Sequence, residues 1–313
     1  KNQDPNRIQS GTVARGSATC PSCGYTTPVS AVRRQLKAKR GGAADARLIV
    51  IRRNNPKSGV RDYRLPFPGE VNATAEALNE LNRRKEAKIC ELSFIPDEPS
   101  PKGGGKGAGR AFSQRNYGMD TFEDLFSPRQ ALSLGILAQN VQKIRQNFHK
   151  DDQLLEAVQT CLALILNRLA DFNSSLCVLN SMGGRGVVHT FGRQAIPMVW
   201  DFMETNPFNE VGANWDAGVD AFYQTILHER DIYLLGHVTE ATAASHPLPD
   251  DSGHIFFTDP PYYDAVPYAD LSDFFYVWLK RTLPENLKKE FQQKLTPKEQ
   301  ECIVDDVKTY FPQ

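Results

Sequence analysis

The stretch His254 to Arg281, HIFFTDPPYYDAVPYADLSDFFYVWLKR, constrains the fold more than any other part of the chain. Ile255-Phe256-Phe257-Thr258 is apolar and β-branched without alternation, which suits a strand buried on both faces of a parallel sheet. Asp259-Pro260-Pro261-Tyr262 follows as a stiff turn, because each proline fixes its own φ and donates no N–H. Leu271 to Leu279 then carries apolar residues at helical spacing, and Arg281 falls near that helix's end. Strand, polar aromatic turn and helix, in that order, predict an α/β protein with a site at a strand's C-terminal end.

The turn also has a chemistry. The Asp259 carboxylate beside free proline carbonyls makes a cluster of acceptors without donors. Such a cluster suits an amino group, whose N–H bonds are held while its lone pair points elsewhere. Tyr262, with Tyr263 beside it, offers a flat face on which a base can stack, worth roughly 1–3 kcal/mol in single-strand binders. The plain alternative is a proline-rich turn that ends a strand.

This stretch resembles motif IV of the amino-methyltransferases that use S-adenosylmethionine. DPPYYDAVPYADLSDFFYVWLKR further resembles the signature of one subgroup, the adenine-specific DNA methylases that carry a zinc ribbon. ATCPSCGYTTPV (18–29), QRNYGMDTFEDLFSPRQ (114–130), NRLADFNSSLCVLN (167–180) and VVHTFGRQAIPMVWDFMETNPF (187–208) are similar to the same family, in the family's order. The resemblance implies part of a Rossmann-like methyltransferase sheet, with a helix-rich insertion and a small zinc-ribbon/β segment. It implies methyl transfer from S-adenosylmethionine to the exocyclic amine of adenine in DNA, on a base taken out of the stack. Asp259, Pro260, Pro261 and Tyr262 would form the catalytic turn, with Tyr262 and Tyr263 against the base. Partner proteins in a DNA-modification or anti-phage defence complex are part of that expectation. The family's cofactor motif, an acidic residue and a D-P-F-x-G-x-G type loop, lies N-terminal to the stretches matched here. The chain is therefore expected to be an internal portion holding the target-amine half of the site, and whether it acts alone stays open.

Length and charge set further bounds. The 313 residues suffice for two domains. They are expected to divide into a half zinc ribbon with a basic α+β segment (1–95), a linker (96–115) and a helical region with the catalytic half (116–313). Residues 1–115 hold 22 of the 37 Lys and Arg but only 10 of the 37 Asp and Glu. That basic front suits a polyanion such as DNA, and equally a solvated surface. No apolar run approaches the ~18 residues that span a membrane. Six cysteines without a dense, even framework make a reducing cytoplasm the default.

Along the chain, Cys20-Pro21-Ser22-Cys23-Gly24 is a knuckle whose two thiolates can clasp one side of a tetrahedral zinc. Cys90, Cys161, Cys177 and Cys302 stand apart. The resemblance places the partner knuckle upstream, so Cys20 and Cys23 read as a structural half site. Val32 to Arg40 brings Arg33, Arg34, Lys37, Lys39 and Arg40 together, a set able to run along phosphates. Leu48–Ile51 and Tyr63–Leu65 predict a hairpin, and Thr74–Lys88 a helix. Pro96 to Arg110, rich in Pro, Gly and Lys, predicts a flexible exposed linker. Ser127-Pro128 caps a helix, and Asp152–Phe172 predicts a second, more apolar one. Gly183-Gly184-Arg185-Gly186 has no acidic residue and buried strand leading into it, so a turn is expected there and not a cofactor loop. A strand at Val187–His189 and helices over 191–208, 216–230 and from Thr296 complete the reading. The competing function is a non-catalytic nucleic-acid-binding or interaction subunit built on the ribbon and the basic segments.

Overall fold

Local pairing shapes the front of the molecule. The computed structural model describes residues 11–55, 57–104, 107–147, 152–180, 186–210, 212–230, 236–239, 241, 245–262, 265–299 and 301. β1 (Val13–Ala14), β2 (Ser17–Thr19) and β3 (Thr26–Thr27) form an antiparallel sheet in sequential order. α1 (Val29–Ala38) follows and buries Val32. β4 (Ile51–Asn54) and β5 (Arg61–Arg64) pair as a hairpin, with Ile51 opposite Arg64 and Arg52 opposite Tyr63. The first strand of this hairpin begins three residues later than its apolar pattern predicts, and Ile49 and Val50 stay exposed.

α2 (Pro68–Arg84) begins earlier than expected. Pro68 suits a first helical turn, and the Glu70 carboxylate accepts the Phe67 N–H at 2.8 Å. The same carboxylate takes two guanidinium hydrogen bonds from Arg64, at 2.6 and 2.7 Å, which ties the hairpin to α2. β6 (Lys88–Ile89) and β7 (Leu92–Ser93) make a second small hairpin. The chain then enters the core. Phe94, Ile95, Glu98 and Ser100 are buried, and Pro99 bridges to Thr121. The stretch whose composition predicts an exposed linker is thus packed at its start, because its prolines lie among apolar and hydrogen-bonded neighbours.

α3 (Pro128–Asn147) and α4 (Asp152–Phe172) match the apolar patterns that predict them. Ser127 caps α3: its Oγ accepts the Gln130 N–H at 3.4 Å, and Gln130 Oε1 accepts the Ser127 N–H at 2.9 Å. β8 (Val178–Leu179) and β9 (Val187–Val188) pair antiparallel. Residues 191–208 do not form the expected helix. Pro197 cannot continue one, and Ile196 instead bonds across to Ala111 and Ser113. α5 (Trp215–Glu229), capped by Asn214, α6 (Tyr268–Thr282) and α7 (Glu285–Lys288) follow. The described residues after Thr296 are not helical, and 300 and 302–313 lie outside the described residues, as do 181–185 and Tyr263.

One apolar core joins these parts. α3 packs against α2, α4 and α6, and α4 against α5 and α6. Phe274, Val277 and Trp278 of α6 are fully buried within it. Each such side chain contributes about 1.5–3 kcal/mol by leaving water. Phe122, Phe126 and Phe191 surround Phe274 at 5.2 to 6.4 Å between ring centres.

The architecture is therefore mixed, a helical body carrying small antiparallel sheets. No parallel Rossmann-like sheet lies among the described residues. The strand expected at Ile255–Thr258 is corrected accordingly: the run is unpaired, with Ile255 86% and Phe257 97% exposed. A strand needs a neighbour for its backbone groups, and no described strand lies alongside. No helix among the described residues is long and apolar enough to cross a membrane.

Candidate functional site

The D-P-P-Y turn is held from one side. Asp259, Pro260, Pro261 and Tyr262 are exposed, Tyr262 at 61%. Val266 and Pro267, at the root of α6, are buried. The Tyr262 N–H lies 3.4 Å from the Tyr268 hydroxyl, its acceptor, and the Tyr262 carbonyl accepts the Ala265 N–H at 3.1 Å. The turn thus sits on the first turn of a helix whose far end is locked in the core. Tyr268, 39% exposed beside the turn, is a second aromatic that the sequence reading missed. Its place, six residues beyond Tyr262 at the first helical position, was the available signal.

α6 is anchored by charge as well as by apolar packing. Arg281 is fully buried and meets Glu98 Oε1 at 2.9 Å. It also donates to the Ser93 carbonyl and hydroxyl, each at 2.9 Å, and to the Val277 carbonyl at 2.6 Å. Midway along the helix, Asp273 accepts from the Thr296 N–H at 2.9 Å and pairs with Lys298 at 2.8 Å. Arg281 and Asp273 are therefore positioning groups for the helix that carries the turn.

The cysteine knuckle has the local shape its spacing predicts. Cys20 directly follows β2, Gly24 adopts φ +74°, and the Gly24 N–H bonds to the Cys20 carbonyl at 2.9 Å. Backbone N–H groups of Cys23 and Ser22 aim at the Cys20 sulfur and, with the Cys23 side chain, lower its pKa. A structural zinc takes four donors, and two thiols at this spacing make at most two of them. No group of three or more His, Cys, Asp or Glu able to hold a metal occurs among the described residues. Cys177 is fully buried, as its apolar setting predicts.

The basic set on and after α1 divides. Arg33, Arg34, Lys37 and Lys39 are exposed, and Arg33 lies 5.5 Å from the Tyr117 ring centre. Arg40 is different: its guanidinium bridges Glu123 and Asp124, the latter at 2.7 Å. That engagement commits the Arg40 guanidinium to carboxylates of the chain itself.

A polar cluster unread in the sequence lies at the C-terminal end of α4. His189 Nδ1 is 2.8 Å from Asp171 Oδ2, and the Asp171 backbone carbonyl accepts from Thr190. Burial raises the Asp171 pKa, against the opposing influence of His189. Eighteen positions separate the two residues, so no local pattern announces them. No family model, curated protein or solved structure matches this chain.

Proposed function

We propose that this chain carries the target-amine half of a methyltransferase that acts on the exocyclic amine of adenine in DNA, within a Rossmann-like sheet that uses S-adenosylmethionine. The observation that supports this reading is the exposed D-P-P-Y turn seated on an immobilised helix. Asp259 and the Pro260 carbonyl are free acceptors for an amine, with Tyr262 and Tyr268 close by as aromatic faces. Holding both N–H bonds fixes the direction of the amine lone pair, and such alignment supplies much of a transfer rate. The described residues do not fit the cofactor by themselves, since no glycine-rich loop at a parallel strand's end faces the turn. When bound, that cofactor supplies the methyl group. These residues bind the base and orient its amine.

The test uses protein expressed from its natural reading frame and radiolabelled S-adenosylmethionine. Label should enter adenine of a duplex, and Asp259→Ala should abolish transfer while leaving the unfolding midpoint unchanged. Full activity in Asp259→Ala would refute the assignment. Label found in cytosine, or in a protein amide, would move the reading to another planar amine. The exposed Arg33, Arg34 and Lys37 favour a second reading, a nucleic-acid-binding subunit without catalysis. It predicts salt-dependent DNA binding that is indifferent to Asp259.

A further inference from the structure

A large groove lies between the β4–β5 hairpin, the α3–α4 pair and residues 198–210, with Gly212 and Ala213. It encloses about 1910 Å³. Pockets for a single small molecule hold roughly 300–1,000 Å³, so this groove suits an extended ligand. None of Asp259 to Tyr262 lines it. Its content is thus independent of the amine site.

The charge of its lining is one-sided. Six Lys and Arg and three Asp and Glu line it, but Arg53 is paired with Asp62, so the excess rests on Arg47, Arg52 and Arg168. One of the acids, Glu204, is already taken by Arg129 at 2.8 Å. Arg47, Arg52 and Arg168 meet no carboxylate within ion-pair distance among the described residues. Arg52 stands out. Its Nη1 makes one long contact, 3.5 Å to the Gly186 carbonyl, while its Nε and Nη2 are buried without a partner. A guanidinium that leaves two donors buried and unbonded has lost hydration without replacement, and an anion would repair that.

The floor repeats the pattern with a neutral group. Ser175 is 2% exposed and lines the groove, and its hydroxyl has no hydrogen-bond partner. Aromatic side chains stand at the rim. Tyr63 is directly opposite Arg52 in the hairpin, and Tyr63, Trp200 and Phe208 are all substantially exposed. Phe172 lies on the wall with the Arg168 guanidinium 5.3 Å from its ring centre.

Unpaired arginines, an orphan hydroxyl and exposed rings along one channel match the needs of a flexible polyanion with flat bases. We infer that the groove binds a single strand of nucleic acid, with Arg52, Arg47 and Arg168 on phosphates and Tyr63 and Trp200 stacking on bases. A duplex would present its bases edge-on and leave the rings without stacking partners. A lone nucleotide would leave most of the volume empty.

The test is fluorescence anisotropy with a labelled twelve-residue deoxythymidylate. Thymine has no exocyclic amine, so this probe bypasses the D-P-P-Y turn and separates this inference from the methylation reading. The chain should bind it with affinity that falls as salt rises. Arg52→Ala and Trp200→Ala should each weaken binding about tenfold or more. Ser175→Ala should weaken it about threefold with no loss of thermal stability, since that hydroxyl holds nothing inside the protein. Lys143→Ala, exposed on α3 outside the groove, should stay within twofold. If Arg52→Ala misfolds, Ser175→Ala and Trp200→Ala carry the test. Unchanged affinity in the groove variants would overturn the inference. Equal affinity for duplex, or equal competition by thymidine monophosphate, would overturn it as well. So would an unbound groove that instead mediates a concentration-dependent dimer in sedimentation.

Discussion

Replacing Glu98 with alanine should destabilise the fold by about 3–5 kcal/mol, the range for removing one partner of a buried ion pair. The geometry sets that expectation. Arg281 is completely buried, and Glu98 is its close carboxylate at 2.9 Å. Asp97, at 3.8 Å and mostly exposed, is too far and too wet to replace it. Lys280, also nearly buried, loses the same counterion at 3.8 Å. The three bonds from Arg281 to Ser93 and Val277 survive, so the cost is that of uncompensated charge and not of lost hydrogen bonding. Against a typical total stability of about 5–15 kcal/mol, such a loss is severe. Urea unfolding followed by tryptophan fluorescence reads it directly, because Trp278 is fully buried one turn before Arg281. Pairing Glu98→Leu with Arg281→Met should recover part of the loss, since it removes the stranded guanidinium, while Lys280 still lacks its counterion. A single-variant loss below about 1 kcal/mol would refute the reasoning, because it would mean that water reaches the pair.

Other consequences are open to measurement. Glu70, held by Arg64 and by the Phe67 N–H, should titrate near about 2 instead of its ordinary 4.5. Because its folded pKa is depressed, its stabilising contribution is full above pH 4.5 and fades as pH falls toward 2; a carboxyl NMR midpoint near 4.5 would contradict the hairpin anchor. Ser127→Ala should lower stability by about 1 kcal/mol through loss of the α3 cap, and an unchanged denaturant midpoint would dismiss that cap. Gly135→Ala sets two effects against each other. Helix propensity favours alanine by about 1 kcal/mol, but the new Cβ would lie 2.6 Å from the Phe94 ring, and overpacking of that kind costs about 1–3 kcal/mol. Net destabilisation is expected, and a raised melting temperature would show that Phe94 has room to move.

What was legible in the sequence was what short range decides. α4 emerged from its apolar period alone, and α3 from that period together with the Ser127-Pro128 cap. The turn at Cys20 to Gly24 followed from cysteine spacing and a glycine able to take a positive φ. Long-range choices were not legible. Arg281 looks like an ordinary basic residue at a helix end, yet it is buried because Glu98 meets it from 183 positions away. Leu48 to Val50 are apolar enough for a strand, but hairpin register leaves them along the groove. Residues 191–208 have helical spacing, but Pro197 and the bonds of Ile196 to a distant segment prevail. The D-P-P-Y turn was half legible. Its four residues are adjacent in the sequence, whereas the exposure of Ile255 to Thr258 before it depends on which segments fold against that run.

That bare run has a practical consequence. Phe256 and Phe257 offer an aromatic-preferring protease an exposed run outside any helix or strand, the kind of segment at which nicking concentrates. A single cut there would leave two polypeptides still joined, because α6 is clasped by Glu98 and by the apolar core on the other side of the nick. The turn would then hang from the second piece, and any binding partner that covers residues 255–258 would show itself by slowing the cut.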